Sequence, residues 1–165
     1  LADEAAWRKF GTGHDLPVFV LRLSGIYGPG RSAIDSLMSA SPRPRVCKEG
    51  QVFNRMHVAD IAAATARLLE RVAAADLPPH RLYHFADDEP APPQDVIAYA
   101  AELLGKPVPP LVPFAEAELS PMARSFYAEN KRIRNDRMKQ DLLPTLSCPT
   151  YREGLAAILR FVNPG

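Results

Sequence analysis

The chain has 165 residues, 47% of them hydrophobic and 24% charged, enough apolar material to bury a core and too much for a disordered chain. Its 20 Lys and Arg are matched by 19 Asp and Glu with no long basic run, which argues against a polybasic nucleic-acid binder. No stretch approaches the roughly 18 uninterrupted apolar residues of a membrane helix.

In chain order, residues 1–10 read as the end of a helix stopped by Gly11-Thr12-Gly13. No capping residue precedes this helix, which leads us to expect a segment before it. The continuous apolar run Pro17–Leu23 predicts a strand buried on both faces, followed by a loop over Ser24–Gly30. A short helix is expected over 33–39. Two short strands, Arg45–Cys47 and Val52–His57, are expected around Glu49-Gly50. The clearest helix spans 58–72, with Ile61, Thr65, Leu68, Leu69 and Val72 on its inner face. A strand over 81–86 is followed by a loop at Asp87–Pro90 and a helix over 93–104 with Val96, Ile97, Ala100 and Leu104 inside. A proline-rich linker then runs to Pro113. One or two short helices broken at Pro121, a strand over 131–134 and a helix begun by Asn135 follow. The last helix carries a capping box, Thr150 with Glu153, and places Leu155, Ile158, Leu159 and Val162 inside.

Strands alternating with helices predict an α/β fold with parallel strands. Two strong strands make an incomplete open sheet, so the pattern reads as part of a larger one. Cys47 and Cys148 are far apart and in no metal-like spacing; with no signal peptide visible, they predict reduced thiols and a cytoplasmic location, and no metal site.

Four segments carry a resemblance. Leu21–Gly30 (LRLSGIYGPG), Arg55–Ala62 (RMHVADIA), Tyr83–Glu89 (YHFADDE), and Lys131–Asn135 taken with Thr150–Leu155 match, in order, motifs of the extended short-chain dehydrogenase/reductases. This is the NAD(P)-dependent epimerase/dehydratase superfamily. The resemblance implies the C-terminal portion of a Rossmann-type doubly wound parallel sheet plus a smaller, mostly helical substrate-binding domain. Residues 1–30 and 56–87 would be the Rossmann-side elements, and residues 31–55 and 88–165 the substrate-binding part. The Gly-rich dinucleotide turn is missing, and the family's catalytic Tyr-x-x-x-Lys falls upstream of Leu1. No catalytic residue is therefore assigned, and this half alone is expected to be inactive.

By the same resemblance, Leu23, Ser24 and Gly25 would approach the nicotinamide of NAD or NADP, at the strand end where open α/β sheets bind ligands. The expected partners are the chain's own N-terminal half and a small-molecule substrate, with no nucleic acid and no membrane; a homodimer is an assembly the family often forms. Tyr27 either presents its hydroxyl to substrate or packs in the domain interface. Arg55 and His57, two apart on one strand, share a side. Arg55 reads as a ligand for an anionic or carbonyl-bearing substrate or as half of a structural ion pair. His57 reads as a substrate contact or a hydrogen-bonding residue at the domain junction. Arg124 is the candidate from the smaller domain. Asp60, in the first turn of its helix, reads as structural, and Asp87-Asp88 as a turn.

Nucleotide-sugar members of the family carry Asn where Gly25 stands and Arg where Phe53 stands. Neither Gly25 nor Phe53 can grip a diphosphate. A small carbonyl, hydroxy or sugar-like compound, and not a typical nucleotide-diphosphate sugar, is therefore the expected substrate of an oxidoreductase or epimerase/dehydratase. A non-catalytic NAD(P)-binding sensor and a free-standing binding module are the alternatives.

Overall fold

The computed structural model describes residues 2–41 and 44–162. Helix α1 (Ala2–Gly13) leads into β1 (Val20–Leu23), β2 (Gly25–Tyr27) and α2 (Ala33–Met38). Then come β3 (Arg45–Cys47), β4 (Arg55–His57), α3 (Val58–Ala73), β5 (Leu82–Phe85) and α4 (Pro93–Leu103). The chain continues through β6 (Leu111–Pro113), α5 (Pro121–Ser125), α6 (Asp136–Asp141) and α7 (Tyr151–Val162). The strands pair in three parallel ribbons, β1 with β5, β2 with β4, and β3 with β6. This is an α/β fold with short parallel strands. No described helix is long and apolar enough to cross a membrane.

Several local expectations are corrected. Helix α1 continues through Gly11 to Gly13. Gly11 is buried inside it because a Cβ there would strike the Val18 side chain and lie 2.8 Å from Leu16 O. The reversal falls to Asp15, at φ +53°, while the N–H groups of His14 and Leu16 donate to Gly11 O. The predicted loop after β1 contains β2, and the predicted linker before Pro113 contains β6. The strand expected over Val52–His57 is confined to Arg55–His57, and β3 and β4 each find a distant partner. Residues 131–134 form no strand. Asn54 substitutes for a ladder there, donating through Nδ2 to Lys131 O at 2.7 Å and accepting from Ile133 N at 2.8 Å. Pro121 starts α5 instead of breaking a helix, with Ser120 as its cap. Strand β1 is half-buried, not buried on both faces. Leu69 points outward, and Ala64 and Asp60 take the inner face of α3 with Leu68.

Three apolar clusters hold the fold. Helices α2, α4 and α7 enclose Ile34, Val96, Ala100, Leu155 and Ile158 around Tyr27. The β1–β5 ribbon packs Tyr83 and Phe85 with Leu68 of α3 and with Met138, Leu142 and Leu146. A third cluster joins Val46, Ala117 and Tyr127, with Phe53 and Phe114 against it. The Thr150–Glu153 capping box forms, with Thr150 N donating to Glu153 Oε2 at 3.0 Å and Arg152 N donating to Thr150 Oγ1. Asn135 stands at the start of α6, but its amide serves Ala86 O and Asp88 Oδ1 and does not cap the helix.

Candidate functional site

Three backbone segments are laced together where β1 and β5 end. Ser24 N donates to Phe85 O at 3.0 Å, Gly25 N to Asn54 O at 3.1 Å, and Asp87 N to Arg55 O at 2.7 Å. Gly25 pairs with Arg55 and Tyr27 with His57 across β2 and β4. Parallel pairing thus brings Leu23, Ser24, Gly25, Arg55 and Asp87 to one end of the sheet, where α/β folds place their ligands.

The polar atoms there are unusual. Seven buried side-chain polar atoms among the described residues lack a hydrogen-bond partner, and five belong to this junction: Ser24 Oγ, Arg55 Nη1, His57 Nε2 and both oxygens of Asp87. Buried polar groups are nearly always paired, so such a concentration marks a site that a ligand or a further polar surface completes. Burial pushes the Asp87 carboxyl up to about 7, with the Arg55 charge pulling against that rise. Burial lowers the Arg55 guanidinium, and Asp87 opposes it. Burial also lowers His57, so its imidazole is neutral at pH 7.

Each proposed site residue has a definite place. Leu23 and Gly25 are exposed at the β1 end, and Ser24 is half-buried between them. The Tyr27 hydroxyl turns into the core, 3.4 Å from Thr150 O, and burial raises its pKa. His57 caps α3, its Nδ1 accepting from Ala59 N at 3.2 Å, and its ring meets Tyr27 edge-on at 5.2 Å. Its buried Nε2 is therefore the protonated nitrogen. Arg124 lies elsewhere: it donates to Ala117 O and covers the Phe114 ring at 4.8 Å, in the third cluster. The structure does not bring it to Arg55. Asp60 accepts from Ser147 N at 2.7 Å and Cys148 N at 2.9 Å, tying α3 to the turn before α7. Asp88 is held by Asn135 and Lys139.

Asp87 is the residue that sequence reasoning passed over as part of a turn. Its position just past the end of β5 was the available signal. No group of three His, Cys, Asp or Glu residues suited to a metal occurs among the described residues. Two open grooves lie away from the junction. One of about 550 Å³ is lined by Arg8, Gly11 and Arg81, and one of about 380 Å³ by His84, Arg134 and Arg137.

No family model matches the chain. A conserved protein of unknown function from Silicibacter pomeroyi is 53% identical with a TM-score of 0.80, over 88% of this chain and 50% of its own. A 3-diazoavenalumate denitrifying reductase from Streptomyces sp. is 30% identical over 155 residues, 86% of this chain and 47% of that protein. A Methylobacillus flagellatus structure, provisionally assigned as an NAD-dependent epimerase/dehydratase, is 29% identical with a TM-score of 0.58, over 87% of this chain and 47% of its own. More distant structures solved with NAD or NADPH, 14–18% identical, share the fold alone. The chain spans about half the length of the relatives it matches.

Proposed function

The chain is a member, spanning about half the relatives' length, of the extended short-chain dehydrogenase/reductase (NAD-dependent epimerase/dehydratase) family, and we propose that it is the C-terminal half of an NAD(P)-dependent oxidoreductase or epimerase/dehydratase. Residues 1–30 and 56–87 complete the dinucleotide-binding sheet with the N-terminal half, and residues 31–55 and 88–165 shape the substrate side. The carrying observation is the β1 end, where exposed Leu23 and Gly25 flank the buried, unpartnered Ser24 Oγ. An apolar side chain, an open backbone and one free hydroxyl fit the carboxamide-bearing face of a nicotinamide.

When bound, the nicotinamide exchanges hydride with a carbon bearing oxygen. This half contributes binding and orientation. Leu23 and Gly25 would flank the ring, Ser24 Oγ would hold a polar edge, and Arg55 Nη1 would donate to an anionic or carbonyl oxygen of the substrate. Neutral His57 keeps the β4–α3 corner rigid, and Tyr27 packs behind it.

The substrate is a small carbonyl, hydroxy or sugar-like compound and not a typical nucleotide-diphosphate sugar. Supporting this, Phe53 is committed to packing, edge-on to Tyr127 at 5.1 Å, and Gly25 offers no side chain. NADH and NADPH fluorescence titration of the natural full-length protein tests the reading. Binding of either cofactor, weakened about tenfold or more by Gly25→Val, which lacks room beside Asn54 O, is expected. No binding of either cofactor refutes it, and tight binding of UDP-sugars refutes the substrate class.

A further inference from the structure

Asp87 is buried, no side chain among the described residues hydrogen-bonds either carboxylate oxygen, and the Glu89 backbone N–H faces the carboxyl without full hydrogen-bond geometry. Its neighbours along the chain are already engaged: Asp88 accepts from Asn135 and Lys139, and Glu89 pairs with Arg152. The Asp87 backbone N–H is bonded to Arg55 O. The two side chains lie close enough to shift each other's ionisation, yet no hydrogen bond joins Arg55 Nη1 to either Asp87 oxygen. A structural ion pair would have closed that gap, because leaving buried charged groups unmade is the expensive arrangement.

The donor and acceptor inventory is specific. Once ionised, Asp87 offers acceptors only, Arg55 offers donors only, and Ser24 Oγ offers either. A complementary ligand must present hydroxyl donors beside an anionic or carbonyl oxygen. A fully ionised phosphate is mismatched, since its oxygens only accept and the Asp87 carboxylate would repel it. We infer that Asp87 is a specificity-determining residue that accepts substrate hydroxyls while Arg55 holds the adjacent carboxylate or carbonyl oxygen. This inference rests on the dehydrogenase reading above.

Calorimetry on the natural full-length protein with bound NADH or NADPH tests it. Measurements at pH 8 keep Asp87 ionised. Glycerate, lactate and propionate share one carboxylate and carry two, one and no hydroxyls. Wild type is expected to bind glycerate about tenfold or more tighter than propionate, the scale of a hydrogen bond to a charged group. Asp87→Asn should cut that ratio several-fold, because its neutral amide oxygen accepts a weaker hydrogen bond than the carboxylate. A ratio near one in wild type, no detectable glycerate binding, or a ratio unchanged by Asp87→Asn overturns the inference. If the cofactor does not bind, the dehydrogenase reading fails separately, and the acid series on cofactor-free protein still reads Asp87. Carbon NMR of labelled wild type needs no variant. The Asp87 carboxyl resonance should move with glycerate and not with propionate, and a resonance indifferent to both overturns the inference.

Discussion

Gly154 of α7 lies against the ring of Tyr27: a Cβ at position 154 would fall 2.7 Å from Tyr27 Cε2 and Cζ. Glycine costs a mid-helix position about 1 kcal/mol relative to alanine, and this contact explains why it stands there. Tyr27 is nearly buried, so it has little room to retreat. Gly154→Ala should therefore destabilise the protein by roughly 1–3 kcal/mol despite its better helix propensity. Urea unfolding measures this. Adding Tyr27→Phe should recover only part of the loss, because the ring carbons still collide.

Asp60 serves as a backbone clamp. Its two oxygens satisfy Ser147 N and Cys148 N, and the side chain is fully buried. Asp60→Ala should cost roughly 2–5 kcal/mol, the range for stripping partners from buried groups. Amide exchange at Ser147 and Cys148 should accelerate more than exchange in α4. Equal acceleration throughout would show that the clamp is not local.

Asp87 gives stability a distinct pH dependence. Its folded value of about 7 lies above the ordinary 3.8, so the folded state holds the proton more tightly than the unfolded chain. The contribution is therefore fully present below about 3.8 and is lost as pH rises through about 7. Asp87→Asn should flatten that fall, and its melting temperature should gain on wild type between pH 4 and pH 8. Parallel curves for the two proteins would contradict the assignment.

His57 acts in the opposite sense. Its folded pKa is lowered from 6.5, so its contribution is present above 6.5 and is lost as pH falls through the lowered value. His57→Ala should cost about 1–2 kcal/mol at pH 8 through loss of the α3 cap. His57→Asn should restore most of that, since Asn caps a helix equally well. Thermal melts of the two variants distinguish a cap from a packing role.

The long helices and the β1–β5 ribbon were legible in the sequence because they carry strong local signals. Helices α3, α4 and α7 show apolar residues at helical spacing, and β1 and β5 are runs of apolar residues bounded by turns. The three-residue strands were not legible. Gly25–Tyr27 and Leu111–Pro113 contain Gly or Pro and read locally as loops, and they become strands only through partners far along the chain. Lys131–Arg134 failed in the other direction: its strand-like pattern is satisfied by the Asn54 side chain. At the site, Ser24, Gly25, Arg55 and His57 were visible because they fall on recognisable motifs. Asp87 was not, since a carboxylate after a strand looks the same whether it faces water or a buried arginine.

Every ribbon in this fold is parallel, and Val20 pairs with Leu82 as Arg45 does with Leu111. No strand can therefore pair with the segment that has just preceded it, as a hairpin would. During synthesis the β1–β5 pairing must wait for about sixty further residues, several seconds at cellular elongation rates of ~5–20 residues per second. Contacts this remote also slow folding after release. Over that interval α1, α2, α3 and the β2–β4 ribbon are able to form, and the edge of β1 that β5 will cover is open to chaperones or to another chain.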